Sequence, residues 1–266
     1  MYEAHWGLTE KPFENTPDPR FLYYSQWHEE ALMRLVYVVR EGKGAGMLTG
    51  VFGCGKTVIG RALLGELEKD IYRTAFITNP RLEDIELLRI IAHNLGAGQL
   101  PTRKADILII LNDILVNNVK DGKKTVVIID EAHSIEDKDV FEEIRLLLNF
   151  QFEDKFLLTL LLLGQPELKE KIERFKQLAQ RIAISYHLES LKEQEISDYI
   201  IHRLKIAGRS EPIFTPSSFK LIYERSGGIP RRINQICDMS LFTGFVKKVN
   251  QIDESIVREA VESLGG

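Results

Sequence analysis

The 266-residue chain has little that would tie it to a membrane, an oxidising compartment or a polyanion. Two cysteines, Cys54 and Cys237, imply no disulfide framework, which fits a reducing cytoplasm. The longest apolar stretch, FLLTLLLLG at 156–164, falls well short of the ~20 residues that span a bilayer. The opening MYEAHWGLTEKPF has neither the basic region nor the apolar run of a signal peptide, so the chain reads as soluble and cytoplasmic. A formal net charge of −4 lacks the basic footprint of a dedicated nucleic-acid binder. The pairs Lys123-Lys124 and Lys247-Lys248 read as solvated turn and helix ends. With 44% hydrophobic and 28% charged residues there is no sign of disorder, and the length suffices for one large domain or a core plus a smaller one.

What the chain does have is a phosphate-binding pattern. Residues 50–57, GVFGCGKT, match G-x-x-x-x-G-K-[ST], between a strand-like AGMLTG and a helix-like KTVIGRALLGELEKD. In such a loop the glycines expose backbone N–H groups to phosphate oxygens at the positive end of a helix. Gly50, Gly53, Cys54, Gly55, Lys56, Thr57 and Val58 are therefore the nucleotide-binding candidates, with Lys56 reaching the β- and γ-phosphates. The apolar run TVVIIDEAH at 125–133 ends in two carboxylates. Asp130 at the strand end would share a Mg²⁺ ion with the Thr57 hydroxyl, and Glu131 is the expected base for the attacking water. His133 reads as a local hydrogen-bonding residue. Cys54 reads as a small tolerated side chain.

Residues 1–24, with Lys11-Pro12, Thr16-Pro17 and Asp18-Pro19, predict an extended segment with turns. A helix follows, with Leu32, Leu35, Val36 and Val39 at helical spacing. Apolar runs at 45–50, 74–79, 124–130 and 156–163 predict strands covered on both faces, and ISYHL at 184–188 a fifth. Helical patterns at 56–69, 83–95, 104–119 and 138–150 alternate with them, the signature of a parallel sheet with right-handed crossovers. After Leu188 four helical patterns follow one another. The expected division is an α/β core over 1–188, with the extended segment, and a helical lid over 189–266.

WGLTEKPFENTPDPRFLYYSQWHEEAL, GVFGCGKT, IIDEAH, LLGQPEL, LAQRI, YIIHRLKIAG and GGIPRRINQICD together resemble the AAA+ ATPases of the general secretion pathway protein A (ExeA-like) family over nearly the whole chain. The resemblance implies a five-stranded P-loop AAA+ core with a helical lid, ATP/ADP and Mg²⁺ as ligands, and a part in assembling the type II secretion (secretin) complex with a B-type partner protein. In that family a membrane span and a peptidoglycan-binding region usually follow the ATPase module. The sequence carries neither, so it reads as the cytoplasmic portion of a longer protein or as a stand-alone relative. Residue by residue, the resemblance implies that Gln165 is sensor 1, with a turn residue as the plain alternative. It implies that Arg181 is the arginine finger toward a neighbouring subunit, with Arg174 as competitor, and hence a homo-oligomer, most simply a hexamer. Arg231, or Arg232, would be sensor 2, and Phe21, Leu22 and Tyr23 would line the adenine pocket unless they serve core packing. The competing functional readings are a DNA-associated regulator of the transposition type and a nucleotide-switched scaffold with little hydrolysis.

Overall fold

The computed structural model describes residues 1–152 and 155–265. Strands β1 (Ala45–Gly50), β2 (Tyr72–Ile77) and β3 (Lys124–Ile129) are followed by a two-residue antiparallel pair, β4 (Gln151–Phe152) and β5 (Lys155–Phe156). Strands β6 (Leu158–Gly164) and β7 (Ile182–Leu188) complete the set. The five longer strands form one parallel sheet in the order β2-β3-β6-β1-β7. Every residue of β1 and β6, and all but the first of β3, is buried, as expected where both faces of a parallel sheet are covered. β7, at an edge, alternates between half-buried and exposed residues until Leu188.

The predicted strands are all present, with shifted ends. β2 runs two residues earlier than the 74–79 pattern because Asn79 precedes Pro80, which disfavours continued regular backbone, and the Ile77 carbonyl accepts from Asp130 N at 2.8 Å. The β4–β5 ribbon was not anticipated.

Helices α1 (Glu3–Trp6), α2 (Gln26–Arg40), α3 (Lys56–Glu66), α4 (Asp84–Asn94), α5 (Lys104–Lys120) and α6 (Lys138–Leu147) are followed by α7 (Glu167–Arg174) and α8 (Lys176–Ala179). Then come α9 (Ile196–Ile206), α10 (Pro216–Ser226), α11 (Pro230–Lys247) and α12 (Glu254–Ser263). Local chemistry sets several boundaries. Pro216 and Pro230 open α10 and α11, where a missing N–H costs nothing, and Gly227 ends α10 in the left-handed conformation. Asp253 caps α12 by accepting from Ser255 N and Ile256 N.

Packing divides the chain into two compact units. One comprises Glu29–Val51 and Ile59–Leu188, the other Met1–His28, Phe52–Val58 and Glu189–Gly266. The sheet unit has a mostly aliphatic core, including Leu87, Leu88, Ile91, Leu111, Val127, Ile129, Leu160 and Leu162. In the helical unit Trp6, Phe13, Phe21, Tyr199, Ile233 and Cys237 share a second core. The expected division had residues 1–28 with the α/β core. They group with the helical residues instead, because Trp6, Phe13 and Phe21 belong to that second core. A buried arginine holds them there: Arg203 of α9 donates to Pro12 O at 2.6 Å and Glu14 O at 3.0 Å, and its guanidinium lies 4.8 Å from the Phe21 ring centroid.

Candidate nucleotide site

β1 leads directly into residues 51–55 and these into α3, so the chain turns from strand to helix within one short loop. Gly53 (φ +85°) and Gly55 (φ +107°) occupy backbone conformations that L side chains rarely adopt. Space forbids a side chain as well: a Cβ at Gly53 would lie 2.7 Å from Arg231 Cβ, and one at Gly55 3.2 Å from His28 Nε2. The bare backbone is what a phosphate cradle requires, since N–H groups must approach oxygens closely. Lys56 and Thr57 begin α3, and the Lys56 side chain is buried, with Nζ 3.9 Å from Cys54 Sγ. Cys54 is fully buried, and burial pushes its thiol pKa up, which leaves a protonated, unreactive sulfur.

One loop-holding residue escaped the sequence reading. His28, 3% exposed, donates from Nε2 to the Cys54 carbonyl at 3.0 Å and accepts the Ser25 hydroxyl at Nδ1 at 2.7 Å. A carbonyl can only accept, so this pairing fixes the neutral Nε2–H tautomer. Burial holds the His28 pKa below its usual value, against the opposing pull of the Cys54 carbonyl and of Glu195. The signal was present in the sequence: His28 lies three, four and seven residues before Ala31, Leu32 and Leu35, in the buried phase of α2.

Arg231 lies against the same loop. Its backbone N–H donates to Gly53 O at 3.2 Å, and its guanidinium sits 4.3 Å from the Phe52 ring centroid, a cation–π distance. Its neighbour Arg232 is exposed and lines a cavity of about 390 Å³ with Glu224, Arg225, Gln235, Ile236, Val261 and Leu264. Of the two arginines, Arg231 is the one beside the phosphate loop.

In the sheet unit the carboxylates follow β3. Asp130 is buried and its Oδ1 accepts from Glu131 N at 3.0 Å. Glu131 has φ +54° and ψ +29°, a left-handed conformation that costs a non-glycine residue of order 1–3 kcal/mol and persists only where the surrounding structure holds it. The turn after it is tied to α7, where Lys171 Nζ donates to His133 O at 2.5 Å and to Ile135 O at 2.8 Å. Gln165, directly after β6, has its amide 2.8 Å from His133 Nε2, and that nitrogen lies 3.6 Å from Glu131 Oε2. The structure thus brings Glu131 and Gln165 to one histidine.

The remaining expected residues fare differently. Arg181 folds back on its own chain, donating to Leu148 O and Asn149 Oδ1, each at 2.7 Å, while Arg174 is exposed at the end of α7. Phe21 is 7% exposed beneath Arg203, in the second core, and Leu22 is also buried. Tyr23 is half-buried and packs edge-on against Tyr199 and His202. Among the described residues, no helix is long and apolar enough to cross a membrane.

Residues 39–172 match the family model described as an AAA domain. General secretion pathway protein A of Aeromonas hydrophila is 39% identical over 272 residues, an alignment that covers 100% of this chain and 49% of that protein. The chain therefore spans about half the length of this curated relative. Among solved structures, the Aeropyrum pernix ORC2 protein in its ADPNP-ADP complexes shares 20% identity with a TM-score of 0.67, covering 89% of this chain and 66% of its own. The Thermotoga maritima RuvB Holliday junction branch migration motor shares 18% identity with a TM-score of 0.60, covering 89% and 69%. At these identities the two structures share the fold with this chain.

Proposed function

On the premise that the chain belongs to the AAA domain family, as an AAA+ ATPase related to General secretion pathway protein A, we propose that it hydrolyses Mg²⁺-ATP and uses the cycle to drive or regulate assembly of a type II secretion complex. The observation that carries the ATPase reading is the phosphate loop: two left-handed glycines, a buried Lys56 and a helix start in the order such a cradle needs. The secretion role rests on the relative's name and on identity along the full chain.

In this reading the loop amides and Lys56 bind the β- and γ-phosphates, and Arg231 adds a cation from the first turn of α11. Thr57 and Asp130 would hold Mg²⁺, which fits their chemistry, a hydroxyl and a buried carboxylate, both hard oxygen donors. The ion supplies charge neutralisation at the phosphates. Glu131 orients the attacking water and takes its proton. Arg181 acts on the nucleotide of a neighbouring copy, most simply within a hexameric ring, and must first release its bonds to Leu148 and Asn149. A B-type secretion protein is the expected partner and the cytoplasm the expected location.

A phosphate-release assay with equilibrium ATP binding tests the ATPase reading. The parent should turn over ATP, Lys56→Ala should lose tight binding, and Glu131→Gln should bind ATP but hydrolyse it at least ~10²-fold more slowly. A parent that binds ATP without turnover reduces the protein to a nucleotide-switched scaffold. Addition of a B-type secretion protein should change the parent's turnover, and no change would count against the secretion role.

A further inference from the structure

His133 touches more of the strand-end machinery than a turn residue needs to. Its ring Nε2 lies between the Gln165 amide at 2.8 Å and the Glu131 carboxylate at 3.6 Å, and its side chain is 17% exposed. The Gln165 atom turned toward the ring is its Nε2, a donor; a half-turn of the amide presents the oxygen instead and leaves the proton on the ring Nε2, between that oxygen and the carboxylate. The Nδ1 atom is buried and has no hydrogen-bond partner among the described residues, which also favours leaving Nδ1 unprotonated.

The backbone around the ring is equally constrained. Lys171 grips the His133 and Ile135 carbonyls, Ser134 N donates to Glu131 O at 2.8 Å, and Glu131 is held in its left-handed conformation. Gly164 leaves the room this requires: a Cβ there would lie 3.1 Å from His133 N and 2.8 Å from Leu168 Cδ2. Such a turn fixes where the Glu131 side chain departs from the backbone, and the imidazole lies 3.6 Å from its carboxylate.

We propose that His133 is a positioning residue for Glu131, and that Gln165 acts on the reaction through His133 instead of by touching the attacking water. The imidazole fixes the direction of the carboxylate, while Gln165 fixes the imidazole. The inference rests on the reading of Glu131 as the base of ATP hydrolysis. A base displaced by about an ångström costs on the order of 10²-fold in rate while leaving ground-state binding intact.

The test is steady-state hydrolysis together with equilibrium ATP binding for the full chain and for His133→Ala, His133→Gln, Gln165→Ala and the His133→Ala/Gln165→Ala double variant. His133→Ala should lower kcat about 10- to 100-fold and change ATP affinity less than about twofold. His133→Gln, which returns an amide donor near the Nε2 position, should recover much of that loss. Gln165→Ala should be slow by itself but add nothing in the His133→Ala background, because the two act in series. A parent with no hydrolysis overturns the functional reading and this inference with it. An active parent with His133→Ala at full kcat overturns the inference alone. So does a parallel fall in kcat, ATP affinity and thermal midpoint in both His133 variants, or a double variant whose losses multiply.

Discussion

The two compact units reach a buried core by different means. In the sheet unit, neighbouring strands satisfy one another's backbone groups, and interchangeable aliphatic side chains such as Leu160, Leu162 and Val127 fill the space between. In the helical unit, residues far apart in sequence are joined by individual polar contacts: Arg203 to Pro12 and Glu14, Trp6 Nε1 to Leu241 O at 2.9 Å, and Tyr199 OH to Asn234 Oδ1 at 2.7 Å. The first kind of core depends on volume and pattern, the second on particular atoms. Substitutions should therefore be tolerated unequally.

The largest expected effect is at Gly228, where a Cβ would come 2.0 Å from the Leu191 carbonyl oxygen and φ is +72°. Gly228→Ala should lower the unfolding free energy by about 4 kcal/mol, from left-handed strain of ~1–2 and overpacking of ~1–3. Chemical denaturation measures it, and a loss under about 1 kcal/mol would mean that the segment between α10 and α11 yields easily. Next comes Arg203→Lys, which keeps the charge but replaces a guanidinium that serves Pro12, Glu14 and Tyr199. It should cost about 2–3 kcal/mol and increase proteolysis within residues 1–24, whereas a neutral result would show the fork to be dispensable.

A smaller effect should appear in acid. His28 is held neutral in the folded protein by burial, so the unfolded chain binds its proton more readily. That site's contribution to stability is complete above the ordinary histidine value of about 6.5 and is lost as pH falls toward the lower folded value, by at most about 1.4 kcal/mol per pH unit. His28→Gln should flatten this part of the stability–pH curve, and an unchanged slope would clear His28 of responsibility. The smallest expected effect is Leu162→Met in β6, a volume-conserving change at a fully buried position. It should cost less than about 1.5 kcal/mol by the same denaturation measurement, and a larger loss would erase the contrast between the units.

The contrast also explains what could be read from the chain. Apolar runs and phosphate-loop spacing are local signals, so five strands, their parallel arrangement and residues 50–57 were legible. Helices α1, α7 and α8 and the β4–β5 ribbon were not, because each is short and bound by tertiary contact, and α1 lies within the segment expected to be extended. Arg203 left a trace, a charge in phase with Ile196, Tyr199 and Ile200 on the buried face of α9. The meeting of His133 with Gln165 left none, since it depends on β3 and β6 being neighbours in the sheet. For Phe21, the resemblance suggests a ligand role, and nothing in the sequence pointed to the cation that lies above its ring.

The strand order also bears on how the protein is made. β1, which carries the phosphate loop at its end, pairs with β6 and β7, so Ala45 must wait for Leu160 and then Ile182 to be synthesised. At ~5–20 residues per second that wait is on the order of ten seconds, during which AGMLTG is an apolar segment without sheet partners. The ribosome thus releases the loop sequence well before its scaffold exists, and a nascent chain arrested before β6 should bind no nucleotide while exposing a strand that chaperones or other chains can capture.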